Sequence, residues 1–201
     1  MIEPVYTLLA VAAYGALHSL LATDQSKRFS EDTFGPAAMR FYRLAYNIVG
    51  GLTFLPVLGV TAAYPGSWLY TIPWPWALLS TLGQLLAVGL LLAGLRQTDP
   101  WRFLGLRQFV ERESTDPAVF TTNGVYRYVR HPLYTAGLLF IWLTPVMTTS
   151  VLALNLGISL YLYIGSLFEE RRLVREFGQA YIDYRQRVPR LLPRIRFRPA
   201  E

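Results

Sequence analysis

The chain has 201 residues, 53% of them hydrophobic and only 16% charged, with 19 Lys and Arg against 13 Asp and Glu and no cysteine. That length fits one domain. The low charge and clustered apolar residues exclude an ordinary soluble globular protein, and the missing cysteine excludes disulfides, thiolate metal sites and a cysteine nucleophile.

Five apolar runs follow in chain order: Val5 to Ala22, Leu44 to Tyr64, Pro75 to Leu95, Leu133 to Met147, and Val151 to Phe168. A spanning helix needs about 20 apolar residues. The second and third runs qualify easily, the first and fifth are near the lower limit, and the fourth is short with Pro145 near its end. The first run lacks a basic leader and a small-residue cleavage site, so it reads as a retained helix. The break Thr148-Thr149-Ser150 reads as a turn joining the last two runs into a hairpin. Trp68, Trp74 and Trp76 cluster where an outer aromatic belt belongs.

All 19 basic residues fall in segment 23–43, segment 96–130 or the tail after Phe168. Five crossings put those three segments on one side, which the positive-inside rule makes cytoplasmic. Four crossings would split them. The expectation is therefore an all-α integral membrane bundle of five transmembrane helices, with a C-terminal helical hairpin and an amphipathic cytoplasmic tail, in a bacterial inner membrane. The net charge of +6 then belongs to residues facing anionic lipid heads rather than to a nucleic-acid surface. Arg96 to Thr122 reads as a cytoplasmic loop with short helical pieces. Leu173, Phe177, Tyr181, Tyr184 and Val188 follow an amphipathic helix pattern, which Pro189 and Pro193 end.

Two blocks carry the chemistry. GVYRYVRHPLY, Gly124 to Tyr134, packs Tyr126, Arg127, Arg130, His131 and Tyr134 into nine positions, and Pro132 suits the first turn of the next helix. FEERRLVREFGQAYIDYRQRVP, Phe168 to Pro189, begins with Glu169-Glu170 at the inner end of the fifth run. A helix C-terminus disfavours carboxylates, so the pair reads either as a solvated couple neutralised by Arg171 and Arg172 or as a carboxylate aimed into a cavity. The plain reading of the first block is an interfacial anchor of snorkelling Tyr and Arg. His18, inside the first run, is either a ligand-binding group or one end of a hydrogen bond to a neighbouring helix. Gln84 reads as packing glue, and Gln108 as a loop residue able to cover a ligand.

YRYVRHPLY, a hairpin and EERRLVREFGQAYIDYRQRVP together resemble the membrane methyltransferase superfamily that includes isoprenylcysteine carboxyl methyltransferases and phospholipid methyltransferases. With ALHSLLA (16–22), DPWRFLGLRQ (99–108) and FIWLTPVMT (140–148), the chain looks most like the NnrU and methanethiol S-methyltransferase branch. The resemblance implies one domain over 1–201, with S-adenosylmethionine bound by about 118–190. It places Val119, Phe120, Thr121, Tyr126, His131, Pro132, Leu133, Tyr134 and Glu169 at the cofactor. The histidine usual in relatives just before this segment is absent, with Ala118 or Val119 in its place. It also makes His131 and Arg130 the candidate catalytic residues, and His18 and Arg127 candidates for substrate. His131 is the nearest base for a thiol, and a cofactor-lining role suits it equally. An acceptor-binding arginine that some prenylcysteine enzymes carry is replaced by Gly165. The implied acceptor is small or lipophilic, with a thiol preferred over a prenylcysteine carboxylate or a lipid. Two other functions remain open: an NnrU-like membrane protein of a redox or nitrogen-oxide pathway, and a nicotinamide-dependent reductase on a related scaffold. The oligomeric state has no sequence signal.

Overall fold

The computed structural model describes residues 2–106 and 120–193, and it is all-helical apart from one short strand pair. Helix α1 spans Glu3–Ala22, with Pro4 in its first turn. Thr23 ends it and caps the next helix, its hydroxyl accepting from the Ser26 amide at 3.2 Å. Helix α2, Asp24–Phe34, is amphipathic and surface-lying, with Phe29 and Phe34 exposed. Gly35, at φ 80°, turns the chain into α3, Pro36–Ala63.

Strand β1, Trp68–Thr71, precedes α4, Ala77–Gln97. A short helix α5 covers Pro100–Leu104, and a 3-10 turn covers Gly124–Arg127. Helix α6 covers Pro132–Trp142, strand β2 Val146–Thr148, α7 Thr149–Phe177 and α8 Gln179–Arg187.

Four of these helices, α1, α3, α4 and α7, are long and apolar enough to cross a membrane. The chain is thus an integral membrane protein. The fourth expected span is different: α6 has 11 residues, about 16 Å at 1.5 Å per residue, half a hydrocarbon core. Pro145 disfavours helical backbone at Thr144, and the chain leaves α6 as extended strand. Strand β2 pairs antiparallel with β1, Trp68 opposite Thr148 and Thr71 opposite Val146. Around this pair the Thr149 amide bonds the Ser67 carbonyl, and the Ser150 hydroxyl the Tyr64 carbonyl. The polar break thus performs two tasks, since Thr148 also caps α7 through the Val151 amide.

Lipid gives no hydrophobic drive between helices, so close approach depends on small residues. On α1, Thr7, Val11 and Gly15 are buried at four-residue spacing. There the Tyr161 ring lies against Gly15, and Gly157 of α7 lies against Val11. On α4, Ser80, Ala87 and Gly94 are buried, with Leu143 against Gly83 and Leu133 against Gly94. Gln84 donates to the Phe140 carbonyl at 3.0 Å, the packing role expected of it. Leu52, Leu55, Leu82, Leu85 and Leu86 stay on the outside, where lipid covers them.

Helix α7 runs straight through the expected end at Phe168 and carries the acid pair within its last turns. Gly178, at φ 56°, then folds α8 back beneath the bundle, burying Tyr181 and Tyr184.

Candidate functional site

The first block is seated on α4. The Val125 amide donates to Gln97 Oε1 at 3.1 Å, and the Thr121 hydroxyl to the Gln97 carbonyl at 3.0 Å. Gly124, at φ 56°, lies directly against the Gln97 amide, so no side chain is tolerated there. The Tyr184 hydroxyl of α8 donates to the Tyr126 carbonyl at 2.6 Å. Burial, with a lesser push from Glu169, raises the Tyr126 phenol to about 12, so it stays neutral.

The second block meets the first through Glu170, whose side chain is only 2% exposed. Its Oε1 accepts from Arg130 Nε at 2.9 Å, Arg190 Nε at 3.1 Å and His131 Nε2 at 3.2 Å, while Oε2 accepts from Arg190 Nη2 at 3.1 Å. Arg130 is spent entirely on this strut, since its Nη1 also donates to the Arg185 carbonyl at 2.8 Å and to that of Val188. The tail continues as a strap: the Arg130 and His131 amides donate to the Pro189 and Arg190 carbonyls at 2.9 and 3.1 Å. Thr135 closes it by donating to the Leu191 carbonyl at 2.7 Å.

Glu169, one residue earlier and so about 100° around the helix, has a different setting. Its side chain is 35% exposed. The Tyr134 hydroxyl donates to its Oε2 at 2.9 Å, and His131 Nδ1 lies 3.5 Å from the same oxygen. His131 and Tyr134 stack nearly parallel, centroids 5.2 Å apart. Burial works against charging His131, but the bonds to Glu169 and Glu170 outweigh it and raise its pKa. A carboxylate faces each of the two imidazole nitrogens, which favours the protonated form. An imidazolium has no lone pair with which to take a proton.

The other expected site residues divide in two. Pro132 is buried and, with Leu133, packs on Gly94 of α4. Phe120 lies in an aromatic cluster with Phe177, Tyr181 and Tyr184 at 4.8, 5.5 and 5.7 Å. Arg127 sets its guanidinium over Tyr128 at 5.6 Å and lines a cleft of about 420 Å³ with Thr122, Asp183 and Arg187. Val119 and Gln108 lie outside the described residues.

His18 is drawn into a separate cluster between α1, α3 and α7. Its Nδ1 stands 2.9 Å from both the Tyr46 and Tyr161 hydroxyls, with the Ser19 hydroxyl 3.3 Å from Tyr161. The hydrogen bonds to neighbouring helices are made with Tyr46 and Tyr161, while Asn47 Nδ2 donates to the Leu104 carbonyl at 3.1 Å. Sequence reasoning missed Glu170, Arg190, Tyr46 and Tyr161. The only signal for Arg190 was its place beside Pro189; for Tyr161 it was a phenol inside an apolar run.

Comparison with known proteins agrees with this arrangement. A family model described as phospholipid methyltransferase matches residues 85–180, which include the Gly124 to Tyr134 block and the acid pair. Methanethiol S-methyltransferase 2 of Bradyrhizobium diazoefficiens is 34% identical over 94% of this chain and 72% of its own. Methanethiol S-methyltransferase of Pseudomonas deceptionensis is 28% identical over 96% and 73%. Human protein-S-isoprenylcysteine O-methyltransferase is 33% identical over 43% of this chain and 32% of its own. No solved structure matches. The apolar helices, the two interlocked blocks and these relatives place the chain in the membrane methyltransferase family of the phospholipid and isoprenylcysteine enzymes, beside the methanethiol S-methyltransferases.

Proposed function

We propose that the chain is an S-adenosylmethionine-dependent methyltransferase that methylates a small, apolar thiol at the cytoplasmic end of the bundle. The observation that carries the reading is Glu169, a third exposed and fixed by Tyr134 and His131 beside a buried, fully engaged Glu170. One carboxylate builds the site and the other is left to face a ligand. A cation beside that oxygen and the Tyr134 ring gains both a charge partner and an aromatic face, so the residues present fit a sulfonium cofactor. Glu169, Tyr134, His131, Tyr126 and Thr121 are the residues to hold it. Pro132 and Leu133 form its wall against α4, and Phe120 the wall against α8. Arg127 lines the cleft beside the 3-10 turn, on the cytoplasmic side of the site.

When bound, the cofactor supplies an activated methyl group on sulfur. The protein's part is alignment of nucleophile, carbon and leaving sulfur in line, and exclusion of water by the aromatic cluster around Phe120. The thiol preference rests on the relatives' names and on Gly165, where some prenylcysteine enzymes carry an arginine. A Cβ placed at Gly165 would meet nothing within 4 Å, and the glycine itself supplies no guanidinium for a charge-assisted bond to a carboxylate. The same reading has α6 with its β2 extension cross as a fifth span, leaving every basic segment inside in a bacterial inner membrane.

The test is incubation of purified protein with labelled S-adenosylmethionine and an acceptor panel of alkanethiols, a prenylcysteine analogue and phosphatidylethanolamine. Label entering the volatile thioether is the expected result. Methyl ester or methylated lipid with no thioether would refute the thiol, and no binding of S-adenosylhomocysteine would refute the cofactor.

A further inference from the structure

A thiol attacks as the thiolate, so some group must take its proton. Both ring nitrogens of His131 face carboxylates, Nδ1 3.5 Å from Glu169 and Nε2 3.2 Å from Glu170, so neither is turned to an acceptor. The chain has two histidines and no cysteine, and the second histidine is His18.

His18 lies one turn from the inner end of α1. Titratable groups face it from each helix around it: Tyr14 on α1, Tyr46 on α3 and Tyr161 on α7, with ring centroids at 5.4, 4.5 and 6.1 Å. No carboxylate or guanidinium is bonded to it among the described residues. The Tyr46 and Tyr161 oxygens both converge on Nδ1 at 2.9 Å; in the tautomer that carries its proton there, the lone pair is on Nε2. Nε2 faces Gly50 of α3, where a Cβ would stand only 3.1 Å away. The absence of a side chain there leaves the imidazole edge room to sit against α3. Tyr161 stands eight residues before Glu169, about 12 Å deeper along α7. Both Tyr161 and Tyr46 are within electrostatic range of Tyr134. The cluster therefore lies on the bilayer side of the carboxylate site, where an apolar thiol arrives from lipid.

We propose that His18 is the proton acceptor of the reaction, with Nε2 taking the thiol proton beside the Tyr46 and Tyr161 rings. This rests on the thiol reading. The step balances: the S–H bond breaks with its proton passing to Nε2, and the thiolate sulfur forms a bond to the methyl carbon as the sulfonium C–S bond breaks. The products are a neutral thioether, S-adenosylhomocysteine and an imidazolium, which then loses its proton to solvent. Tyr46 and Tyr161 are positioning residues, holding the tautomer.

The test compares wild type with His18→Asn, which keeps a polar atom near the Nδ1 position but has no basicity, and with His18→Gln. Three readouts are taken in the full-length protein: thermal midpoint, affinity for S-adenosylhomocysteine, and kcat/KM for an alkanethiol and for an aryl thiol already ionised at neutral pH. The expected result is an unchanged midpoint and affinity, with a loss of about a hundredfold or more on the alkanethiol and less than about fivefold on the aryl thiol. Tyr161→Phe should move the acidic limb of the alkanethiol pH profile while leaving cofactor affinity alone. Wild-type turnover of the alkanethiol by both His18 variants, or equal losses on both thiols, would overturn the proposal while leaving the thiol reading intact. Wild-type protein that binds S-adenosylhomocysteine but methylates no thiol would overturn both.

Discussion

Adjacent glutamates have opposite fates because a helix turns about 100° per residue. Glu170 faces inward to two guanidiniums and an imidazolium; Glu169 faces the mouth. Removing one partner of a buried ion network leaves the others uncompensated, at a cost of about 3–5 kcal/mol. Glu170→Ala is therefore expected to drop the thermal midpoint sharply, whereas Glu169→Ala should fold normally and lose at least tenfold in S-adenosylhomocysteine affinity by calorimetry. His131 adds a pH dependence. Its folded pKa lies above the ordinary value of about 6.5, so its ion-pair contribution is complete below that pH and is lost as pH rises through the folded value. Stability and cofactor affinity should both fall as pH rises through that raised value, and His131→Asn should flatten the slope. An undiminished slope in that variant would place the titration elsewhere.

At the level of elements, the long helices were legible because apolar length alone identifies them; α1, α3, α4 and α7 begin and end within a few residues of the runs except where polar turns extend them. The strand pair was not legible. Strands of three and four residues carry no periodicity, and Trp68 and Thr148 meet only through the fold. The run Leu133 to Met147 hid the end of α6, which Pro145 sets. In the site, both motif blocks were visible, but their interlock through Glu170 and Arg190 was not, since helix rotation decides which acid faces inward. Helix α6 positions His131 and Tyr134 only because Gly94 lets Leu133 approach α4, a Cβ there standing 2.9 Å from the leucine methyl. Gly94→Val is expected to cost about 1–3 kcal/mol and to weaken S-adenosylhomocysteine binding more than Gly89→Val, where a Cβ meets nothing. Equal effects in thermal melts and binding would detach α6 register from the site.

For the whole molecule, the proposed topology depends on a helix of half the needed length. Strand β2 and the β1 pairing complete the distance, so Gly66 should lie outside and the residues after Pro193 inside. Reporter fusions at those two places are expected to mark opposite compartments, and the same compartment for both would reduce the crossings to four.

The strap imposes a timetable. The Arg130 guanidinium donates to the Val188 carbonyl, 58 residues further along. At a synthesis rate of about 5–20 residues per second, roughly 3–12 s separate the making of the two. Within that interval the last two apolar helices are made, while the arginine, the histidine and, once made, both glutamates wait at the headgroups without their final partners. Insertion and maturation are then separate events. A ribosome that stops between Phe177 and Val188 would leave a chain anchored in the membrane, complete in its spans, and unable to hold a cofactor.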